Sequence, residues 1–401
     1  MERRDVIIVG AGPAGAGTAL ALVREDPALA SRTLLLDKAR HPRDKTCAGG
    51  VIPKASEILA GLGVDLDVPQ VRVDCARVSV PHTVVDVPGT GLARVVRRRE
   101  LDARLAWAAR DRGVELREEE RVVHLARDGA GVRVETSRTT YWTPLVIGAD
   151  GSGSVVRRAL VPGDGGVVAR AVMADVPVSD TRWDGFARHR YDFDFRCTAG
   201  GLRGYRWLFP CLIDGVPHAN VGAYALPPAD GARMQRELAT VLADAGASAP
   251  TWKAFPIRTW TPRSVVAAPH AILVGDAAGC DPLMGEGISF ALEYGALAAR
   301  AAVDAHRRGR FECDRYARAV ARGVLGRKLR RLGLGARLFY GRTGRLWFRL
   351  AAASAHAQAI GLAWYNGVGG WDERSVARAL WTLVARRPVG VALTSPRDGR
   401  R

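Results

Sequence analysis

Short aliphatic runs, each followed by a stretch rich in glycine or alanine, dominate the first part of the chain. The runs that end at Val9 and at Leu36 are apolar and of strand length, and an alanine-rich segment between them extends to about Arg24. Gly131–Thr136 instead alternates apolar and polar positions, which is typical of a strand with one exposed face. Strands that alternate with helices in this way predict an α/β fold.

A glycine-rich turn joins the first predicted strand to the first predicted helix. It consists of Gly10, Ala11, Gly12, Pro13, Ala14 and Gly15. Gly10 permits the tight turn, Gly12 lets the backbone approach a pyrophosphate, and Gly15 lets the helix pack closely against the strand. Asp37 ends the second strand 22 residues after Gly15, where an acid can hold ribose hydroxyls. Together with Lys38, these residues predict a dinucleotide site at the positive end of a helix.

The same segment has the length of a targeting sequence. Residues 6–23 form an uncharged run that follows Arg3 and Arg4. Five glycine and proline positions inside this run would make a poor membrane helix, whereas they fit a phosphate-binding turn. We therefore predict a buried strand and helix rather than a signal peptide.

Two later motifs indicate which dinucleotide is bound. Residues 146–157, around Asp150, resemble the DG motif of flavoprotein hydroxylases and reductases, and residues 271–288 resemble their GD motif. In the second motif, a strand over Ala271–Val274 brings Gly275 and Asp276 to its carboxyl end, where ligands bind in open α/β sheets. A carboxylate at that point can bind ribityl hydroxyls. Either motif alone is compatible with an ordinary strand, turn and helix, but both in this order predict FAD.

The end of the second motif predicts how the flavin ring is approached. Gly285 and Gly287 allow backbone to come close to the ring, and a helix follows from about Ile288. The N–H groups of that helix terminus can stabilise negative charge on a reduced flavin. Arg98 begins a stretch that resembles a cofactor-proximal helix of the same enzymes, although Arg97 and Arg99 compete with it for that role.

Two further stretches narrow the resemblance. The first runs Pro42-Arg43-Asp44-Lys45-Thr46-Cys47-Ala48-Gly49-Gly50, and the second runs Tyr205-Arg206-Trp207-Leu208-Phe209-Pro210. They resemble the PR-x-K-x-C-G-G-G and Y-x-W-x-F-P motifs of the geranylgeranyl reductase family, within the p-hydroxybenzoate-hydroxylase-like flavoproteins. The resemblance covers about residues 5–300 and implies that Cys47, Ala48 and Gly49 lie beside the flavin. Ala48 departs from the family's glycine, and we expect its methyl group either to crowd the flavin or to alter this loop.

The resemblance also implies a substrate cavity lined by Tyr205, Trp207, Phe209 and Pro210. Tyr205, Trp207 and Phe209 alternate, so on a strand they share one face. A plain aromatic core is the alternative for this cluster, and a small buried apolar residue is the alternative for Cys47. We expect Cys47, Tyr205 and Trp207 beside the reacting atoms, with Cys47, Tyr205 or water as the proton donor.

The order of these patterns predicts a Rossmann-type FAD-binding domain with an inserted antiparallel β-sheet domain and a helical C-terminal region. We assign residues 1–75, 95–165 and 265–315 to the FAD domain, 76–94 and 166–264 to the substrate domain, and 316–401 to the helical region. Glycines at 333, 335, 341 and 367–370 predict breaks in the helical region.

Charge is concentrated at the C-terminal end. Residues 300–401 contain 22 Lys and Arg against 6 Asp and Glu, out of a net charge of +18 for the whole chain. The segment from Arg327 to Tyr340 mixes cationic and apolar residues, which predicts either a helix on an anionic membrane surface or a solvated helix packed on the FAD domain. Six scattered cysteines without a metal-binding spacing indicate a reducing compartment. We therefore expect a cytoplasmic protein, in peripheral contact with the inner face of the cell membrane if the first alternative holds, and no metal.

The resemblance implies reduction of isolated double bonds in a polyprenyl chain on a lipid, quinone or pigment. The sequence has one GxGxxG turn, so the electron donor, NAD(P)H or a reduced carrier protein, must bind transiently. An FAD-dependent aromatic hydroxylase acting on an apolar small molecule is the alternative. A halogenase is disfavoured because flavin halogenases typically have a lysine in the tunnel, whereas no lysine occurs here between Lys54 and Lys253, and because Tyr205 stands where their G-W-x-W-x-[IF]-P element has its first tryptophan. Nucleic-acid binding is disfavoured because no recognised nucleic-acid-binding motif accompanies the basic tail.

Overall fold

The strands gather into three sheets in the computed structural model, which describes residues 1–81, 83–163, 166–247, 251–352 and 355–367. In the first half of the chain the strands are β1 (Glu2–Arg3), β2 (Val6–Val9), β3 (Thr33–Leu36), β4 (Gly50–Val51), β5 (Gln70–Val80), β6 (Thr83–Val96), β7 (Glu115–Arg117), β8 (Val122–Asp128), β9 (Gly131–Thr136), β10 (Thr140–Thr143) and β11 (Leu145–Gly148). The later strands are β12 (Val167–Pro177), β13 (Arg190–Asp194), β14 (Gly204–Ile213), β15 (Val216–Ala225), β16 (Lys253–Thr259), β17 (Ala267–Ala268) and β18 (Ala271–Leu273).

Helices cover the sheets and form the C-terminal part of the described chain. They are α1 (Pro13–Glu25), α2 (Pro27–Ala30), α3 (Pro53–Gly61), α4 (Arg98–Arg110), α5 (Val155–Leu160), α6 (Gly231–Asp244), α7 (Ile288–Arg308), α8 (Asp314–Arg322), α9 (Val324–Phe339), α10 (Gly344–Ala352) and α11 (Ala355–Asn366). None of these helices, within the residues described, is long and apolar enough to cross a bilayer.

The six-stranded sheet has the order β17-β18-β11-β2-β3-β7 and is parallel except for β17. The strands β2, β3 and β11 are buried along their whole length, as expected for a sheet covered on both faces. The predicted strands at Val6–Val9 and Thr33–Leu36 are confirmed. This sheet brings the carboxyl ends of β2, β3, β11 and β18 to one edge, where their loops form the site.

The eight-stranded sheet has the order β16-β12-β15-β14-β13-β5-β6-β4. All its neighbouring strands are antiparallel except β13 and β5, which pair in parallel, so the predicted antiparallel sheet contains one parallel pair. The parallel pair occurs where the two inserted segments of the chain meet. Strand β5 begins at Gln70 and β6 ends at Val96, so the sheet takes in residues that the sequence pattern placed in the FAD domain.

The C-terminal helices pack on both domains. Tyr340, Phe348 and Leu362 are buried in one apolar cluster with aromatic residues of the eight-stranded sheet, while Lys328 Nζ of α9 lies 3.0 Å from Glu293 Oε1 of α7. The inner faces of these helices are therefore buried against both sheets' domains. The predicted alternative of a solvated helix packed on the FAD domain alone does not describe this arrangement.

The glycines of the C-terminal region differ in whether a helix ends at them. Helix α9 runs through Gly333 and Gly335, so the predicted break there is wrong, whereas the chain leaves the helix before Gly341. A Cβ on Gly335 would lie 3.2 Å from Leu283 Cδ2, so this glycine lets α9 approach the loop before α7. The predicted break at 367–370 is observed at its first residue, because α11 ends at Asn366 and Gly367 has a φ of +64°, whereas 368–370 lie outside the described residues.

We expect Phe348→Ala to lower the free energy of unfolding by about 3–5 kcal/mol, because it empties a buried aromatic site between α10 and the eight-stranded sheet. Leu346→Ala, on the exposed side of the same helix, is the matched control and should change it by about 0.5 kcal/mol or less. Denaturant unfolding monitored by circular dichroism measures both. Equal effects of the two substitutions would contradict the packing of α10.

Candidate active site

One continuous cavity of about 740 Å³ extends from the glycine turn after β2 to the aromatic face of β14. The residues predicted from sequence that line it are Gly10, Gly12, Pro13, Ala14, Asp37, Lys38, Cys47, Ala48, Gly49, Arg98, Asp150, Tyr205, Trp207, Phe209, Asp276, Gly285, Gly287 and Ile288. The fold thus collects motifs that are far apart in the chain around a single space.

Three predicted residues lie behind this lining. A Cβ on Gly15 would lie 1.8 Å from the Gly10 carbonyl oxygen, and a Cβ on Gly275 would lie 2.7 Å from Ala14 Cβ, so both glycines serve close packing of the turn. Pro210 does not line the cavity, because it alternates with Phe209 on β14 and so faces the other side of the sheet.

The carboxylate of Asp37 is fixed at the glycine turn. Asp37 Oδ2 accepts a hydrogen bond from the Ala11 N–H at 2.8 Å, and Oδ1 accepts one from the Ala39 N–H at 2.9 Å. The acid is therefore held at the end of β3, where a ribose would lie if a dinucleotide occupied the turn.

Two guanidinium groups flank Gly12. Arg98 donates to both carboxylate oxygens of Asp102 at 2.6 and 2.8 Å, and Arg43 Nη1 lies 3.2 Å from Asp102 Oδ2. Burial by itself lowers the pKa of Arg98, but the ion pair with Asp102 outweighs it, so this pKa lies above its ordinary value. Arg97 instead forms a bidentate pair with Asp175. Arg98 is thus the member of the arginine run that lines the cavity.

The space above Gly12 fits a phosphate group. A Cβ built there would lie 3.6 Å from Arg98 Nη2 and 3.7 Å from Arg43 Nη2, so it would fill a cradle formed by the turn and these two cations. The N-terminus of α1 begins directly after Gly12. Backbone N–H groups, a helix dipole and two arginines together favour an anion such as a pyrophosphate.

In the DG motif, one carboxylate oxygen of Asp150 accepts hydrogen bonds and the other does not. Asp150 Oδ2 accepts hydrogen bonds from the N–H groups of Val155 and Val156 at the start of α5. Oδ1 is buried and has no hydrogen-bond partner among the described residues, and burial raises the pKa of this carboxyl. An unpaired buried acceptor is costly. The residues therefore fit a ligand that donates to Asp150.

The loop between β18 and α7 carries the GD motif and is bound by three tyrosines. The hydroxyls of Tyr224, Tyr340 and Tyr205 donate to the carbonyl oxygens of residues 282, 283 and 284 at 3.3, 2.7 and 2.6 Å, respectively. Asp281 accepts hydrogen bonds from the N–H groups of residues 283 and 284. The loop is therefore fixed from β14, β15 and the end of α9, and it presents Gly285, with φ of +68°, to the cavity.

Aromatic rings form the far end of the cavity. The rings of Tyr205 and Trp207 lie 5.9 Å apart, and those of Tyr205 and Tyr224 lie 5.7 Å apart. Burial raises the pKa of Tyr205, and its hydroxyl already donates to the Met284 carbonyl. Tyr205 is thus suited to forming the wall and less suited to releasing a proton. We call this end, lined by Tyr205, Trp207, Phe209, Tyr224 and Tyr365, the aromatic chamber.

A buried chain of hydrogen bonds orients Trp207. Its Nε1 donates to Asn220 Oδ1 at 2.8 Å, and Asn220 Nδ2 donates to Asp175 Oδ1 at 2.7 Å. Asp175 is in turn held by Arg97, directly before the start of α4. A Cβ on Gly222 would lie 2.0 Å from Trp207 Cζ2, so the indole lies flat on this glycine. Both constraints fix the ring that faces the cavity.

The loop that contains Cys47 lies between the two ends of the cavity. Cys47 is half-buried, and its Sγ accepts a hydrogen bond from the Gly49 N–H at 3.3 Å. Ala48 packs against the apolar cluster that includes the aromatic chamber, so the methyl group at this position adds to the apolar wall.

Sequence reasoning did not single out Lys45 and Tyr365. The Lys45 ammonium lies 2.8 Å from the ring centroid of Phe255 and lines the cavity. Burial and the nearby Arg98 lower the pKa of Lys45 to about 8. Lys45 lies inside the Pro42–Gly50 motif, so the sequence alone contained a signal that could have identified it as a site residue. Tyr365 of α11 packs 5.5 Å from Phe193, and no local pattern links it to the site.

We expect Gly12→Ala to fold normally and to lose FAD. The φ of Gly12 is −73°, which alanine adopts readily, and the added methyl meets no atom closer than 3.6 Å, but it fills the phosphate cradle. Affinity for FAD, measured by flavin fluorescence titration, should fall at least tenfold at an unchanged melting temperature of the cofactor-free protein.

The matched control is Gly231→Ala at the start of α6, where an added Cβ meets nothing within 4 Å. It should leave FAD affinity unchanged. Normal FAD affinity in Gly12→Ala would contradict the assignment of the cradle.

The fold is shared with solved flavoproteins of different activities. A geranylgeranyl bacteriochlorophyll reductase-like protein from Thermoplasma acidophilum superposes with a TM-score of 0.75 at 19% identity, covering 96% of this chain and 100% of that chain. A flavin-dependent brominase superposes with the same TM-score of 0.75 at 16% identity, covering 96% of this chain and 100% of that chain. These likenesses establish the fold.

Sequence similarity is higher to a curated relative. A menaquinone reductase of Mycolicibacterium smegmatis is 34% identical over 335 residues, which is 74% of this chain and 76% of that protein. The FAD-binding domain family matches residues 3–294, from the glycine turn through the GD motif. The chain therefore belongs to the family of FAD-binding-domain flavoproteins and is an FAD-dependent oxidoreductase.

Proposed function

We propose that this enzyme saturates isolated double bonds in a polyprenyl chain carried by a quinone, a lipid or a pigment. The observation that carries the proposal is the continuity of the cavity, which joins the cofactor cradle to an aromatic chamber. An apolar chain gains by leaving water for such a chamber, at roughly 25 cal/mol per Å² of apolar surface buried. The chamber thus favours a hydrocarbon substrate next to the flavin.

Reduced FAD, when bound, supplies the hydride that such a reduction requires. An isolated alkene is a poor electrophile, so the protein must contribute by positioning the chain and by excluding water. Trp207 is held by Asn220 and by its contact with Gly222, and Tyr205 is held by the Met284 carbonyl. These fixed rings provide the rigid surface on which one double bond can be aligned.

The second alkene carbon must receive a proton. Lys45 Nζ lines the cavity and is protonated at neutral pH, and its lowered pKa of about 8 brings it close to the working range of a general acid. Cys47 and water remain alternative donors, whereas the Tyr205 hydroxyl is engaged. We therefore favour Lys45 as the source of the proton.

Menaquinone is the first substrate to test. The relative at 34% identity is a menaquinone reductase, and a menaquinone carries a polyprenyl tail of the kind that the aromatic chamber can receive. The electrons come from a donor that binds transiently, either NAD(P)H or a reduced carrier protein. Because the fold is equally close to a reductase-like protein and to a brominase, product chemistry must decide the reaction.

We expect the dithionite-reduced holoprotein, incubated without oxygen, to add two hydrogen atoms per double bond to a prenyl quinone or lipid. Mass spectrometry of the extracted product measures this gain. A parallel incubation with NADH and oxygen serves as the comparison. A gain of one oxygen atom in that arm, with no gain of hydrogen in the first, would identify a monooxygenase and overturn the proposal.

We expect the rate of the oxidative half-reaction, in which reduced flavin reacts with the alkene substrate, to fall as pH rises through about 8. Lys45 has a lowered pKa, so its ammonium is present below that value and is lost above it. Lys45→Met should be at least tenfold slower and should lack this decline, since general acid catalysis contributes roughly 10²–10⁴-fold. Unchanged FAD absorbance in the variant is the control, and an unaltered pH profile would exclude Lys45 as the donor.

A further inference from the structure

The outward side of α10 combines positive charge with an exposed aliphatic residue. Arg345, Leu346 and Arg349 lie on this side, and Arg342 lies just before the helix. Leu346 is 55% exposed. Positions 342, 345, 346 and 349 recur at helical spacing, so they belong to one surface. We call these four residues the α10 outer face.

The chain on either side of α10 contains no acidic residue that could neutralise the α10 outer face. The sequence has no Asp or Glu from residue 315 to residue 371 and has 11 Lys and Arg in that stretch. Trp347, beside this face, is partly exposed, and its Nε1 donates to Thr343 Oγ1 at 3.2 Å. Cationic, aliphatic and indole groups together are typical of a surface that meets the boundary of a bilayer.

The neighbouring α9 does not offer the surface that its sequence suggests. Lys328 and Arg331 are each 6% exposed, and Lys328 is paired with Glu293. The predicted membrane segment from Arg327 to Tyr340 therefore places part of its charge inside the protein. Arg330 and Arg337 of α9 remain exposed, whereas α10 combines exposed arginines with an exposed leucine.

The opposite side of α10 packs on aromatic rings that adjoin the aromatic chamber. Phe348 is buried and its ring centroid lies 5.2 Å from that of Phe195, which lies 5.5 Å from that of Tyr205. The α10 outer face and the chamber are thus separated by one helix and one layer of rings.

We propose that the α10 outer face docks on an anionic lipid surface. Nucleic acid would satisfy the arginines but gives Leu346 no apolar environment, whereas a lipid headgroup region satisfies both. Each basic residue near an anionic bilayer strengthens binding by about fivefold. The link to substrate delivery rests on the proposed prenyl-chain reduction, whereas docking itself is independent of catalysis.

The test is sedimentation of the holoprotein with vesicles of phosphatidylglycerol and phosphatidylcholine, compared with vesicles of phosphatidylcholine alone. We expect binding only to the anionic vesicles and release in high salt. Arg345→Glu and Leu346→Ser should each weaken binding at least fivefold. Unchanged FAD absorbance and melting temperature establish that the variants are folded.

Two matched substitutions elsewhere serve as controls. Arg263→Glu makes the same change of charge at another exposed arginine, and Val84→Ser removes an aliphatic side chain that is 57% exposed on β6. Both should bind as the parent does. Absence of binding to anionic vesicles would overturn the proposal, and so would an equal loss of vesicle binding in the two control variants. Binding of the protein to heparin, together with unchanged vesicle binding in Leu346→Ser, would also overturn it.

Activity on a detergent-dispersed substrate separates docking from function. Docking variants should retain the parent's rate in detergent and lose it with substrate held in anionic vesicles. If the protein binds vesicles but does not reduce the substrate's double bonds in detergent, the proposed function is wrong and the docking proposal still stands. Equal rates of parent and variants on vesicle-held substrate would instead refute the role of the α10 outer face.

Discussion

Three tyrosine hydroxyls that bind three successive carbonyls hold the active site together. Tyr205 and Tyr224 come from the eight-stranded sheet and Tyr340 from the end of α9, and all three donate to the loop that begins α7. Because that loop carries the GD motif, these hydrogen bonds connect the six-stranded sheet's side of the molecule, the eight-stranded sheet and the C-terminal helices. Buried backbone carbonyls need such partners. The cavity is continuous because its two ends share this loop.

The cofactor end was largely predictable because its signals are local. The tight turn requires glycine at Gly10, and a phosphate requires the space left by the missing side chain of Gly12. The acid at the end of β3 follows the glycine turn at a characteristic sequence separation. Asp37 lies against the turn, where its Oδ2 accepts a hydrogen bond from the Ala11 N–H. The resemblance indicated Arg98 among three adjacent arginines, and only the structure shows that Arg97 instead pairs with Asp175 of the eight-stranded sheet.

The substrate end was less predictable because its contacts join distant segments. Tyr365 reaches the chamber through the packing of three helices, and β13 pairs in parallel with β5 across more than one hundred residues. Gly335 was expected to break a helix, yet it is the residue that lets α9 approach the loop. Local propensity was overridden there by tertiary packing, which sequence periodicity does not encode.

Function in this fold is decided by what faces the flavin rather than by the fold itself. The most direct test of the account is a structure of the protein with FAD and a prenyl quinone bound. We expect the pyrophosphate between Gly12 and Arg98, and the prenyl chain against Trp207 within the aromatic chamber. A chamber that stays filled by its own side chains, with the prenyl chain bound elsewhere, would contradict the account.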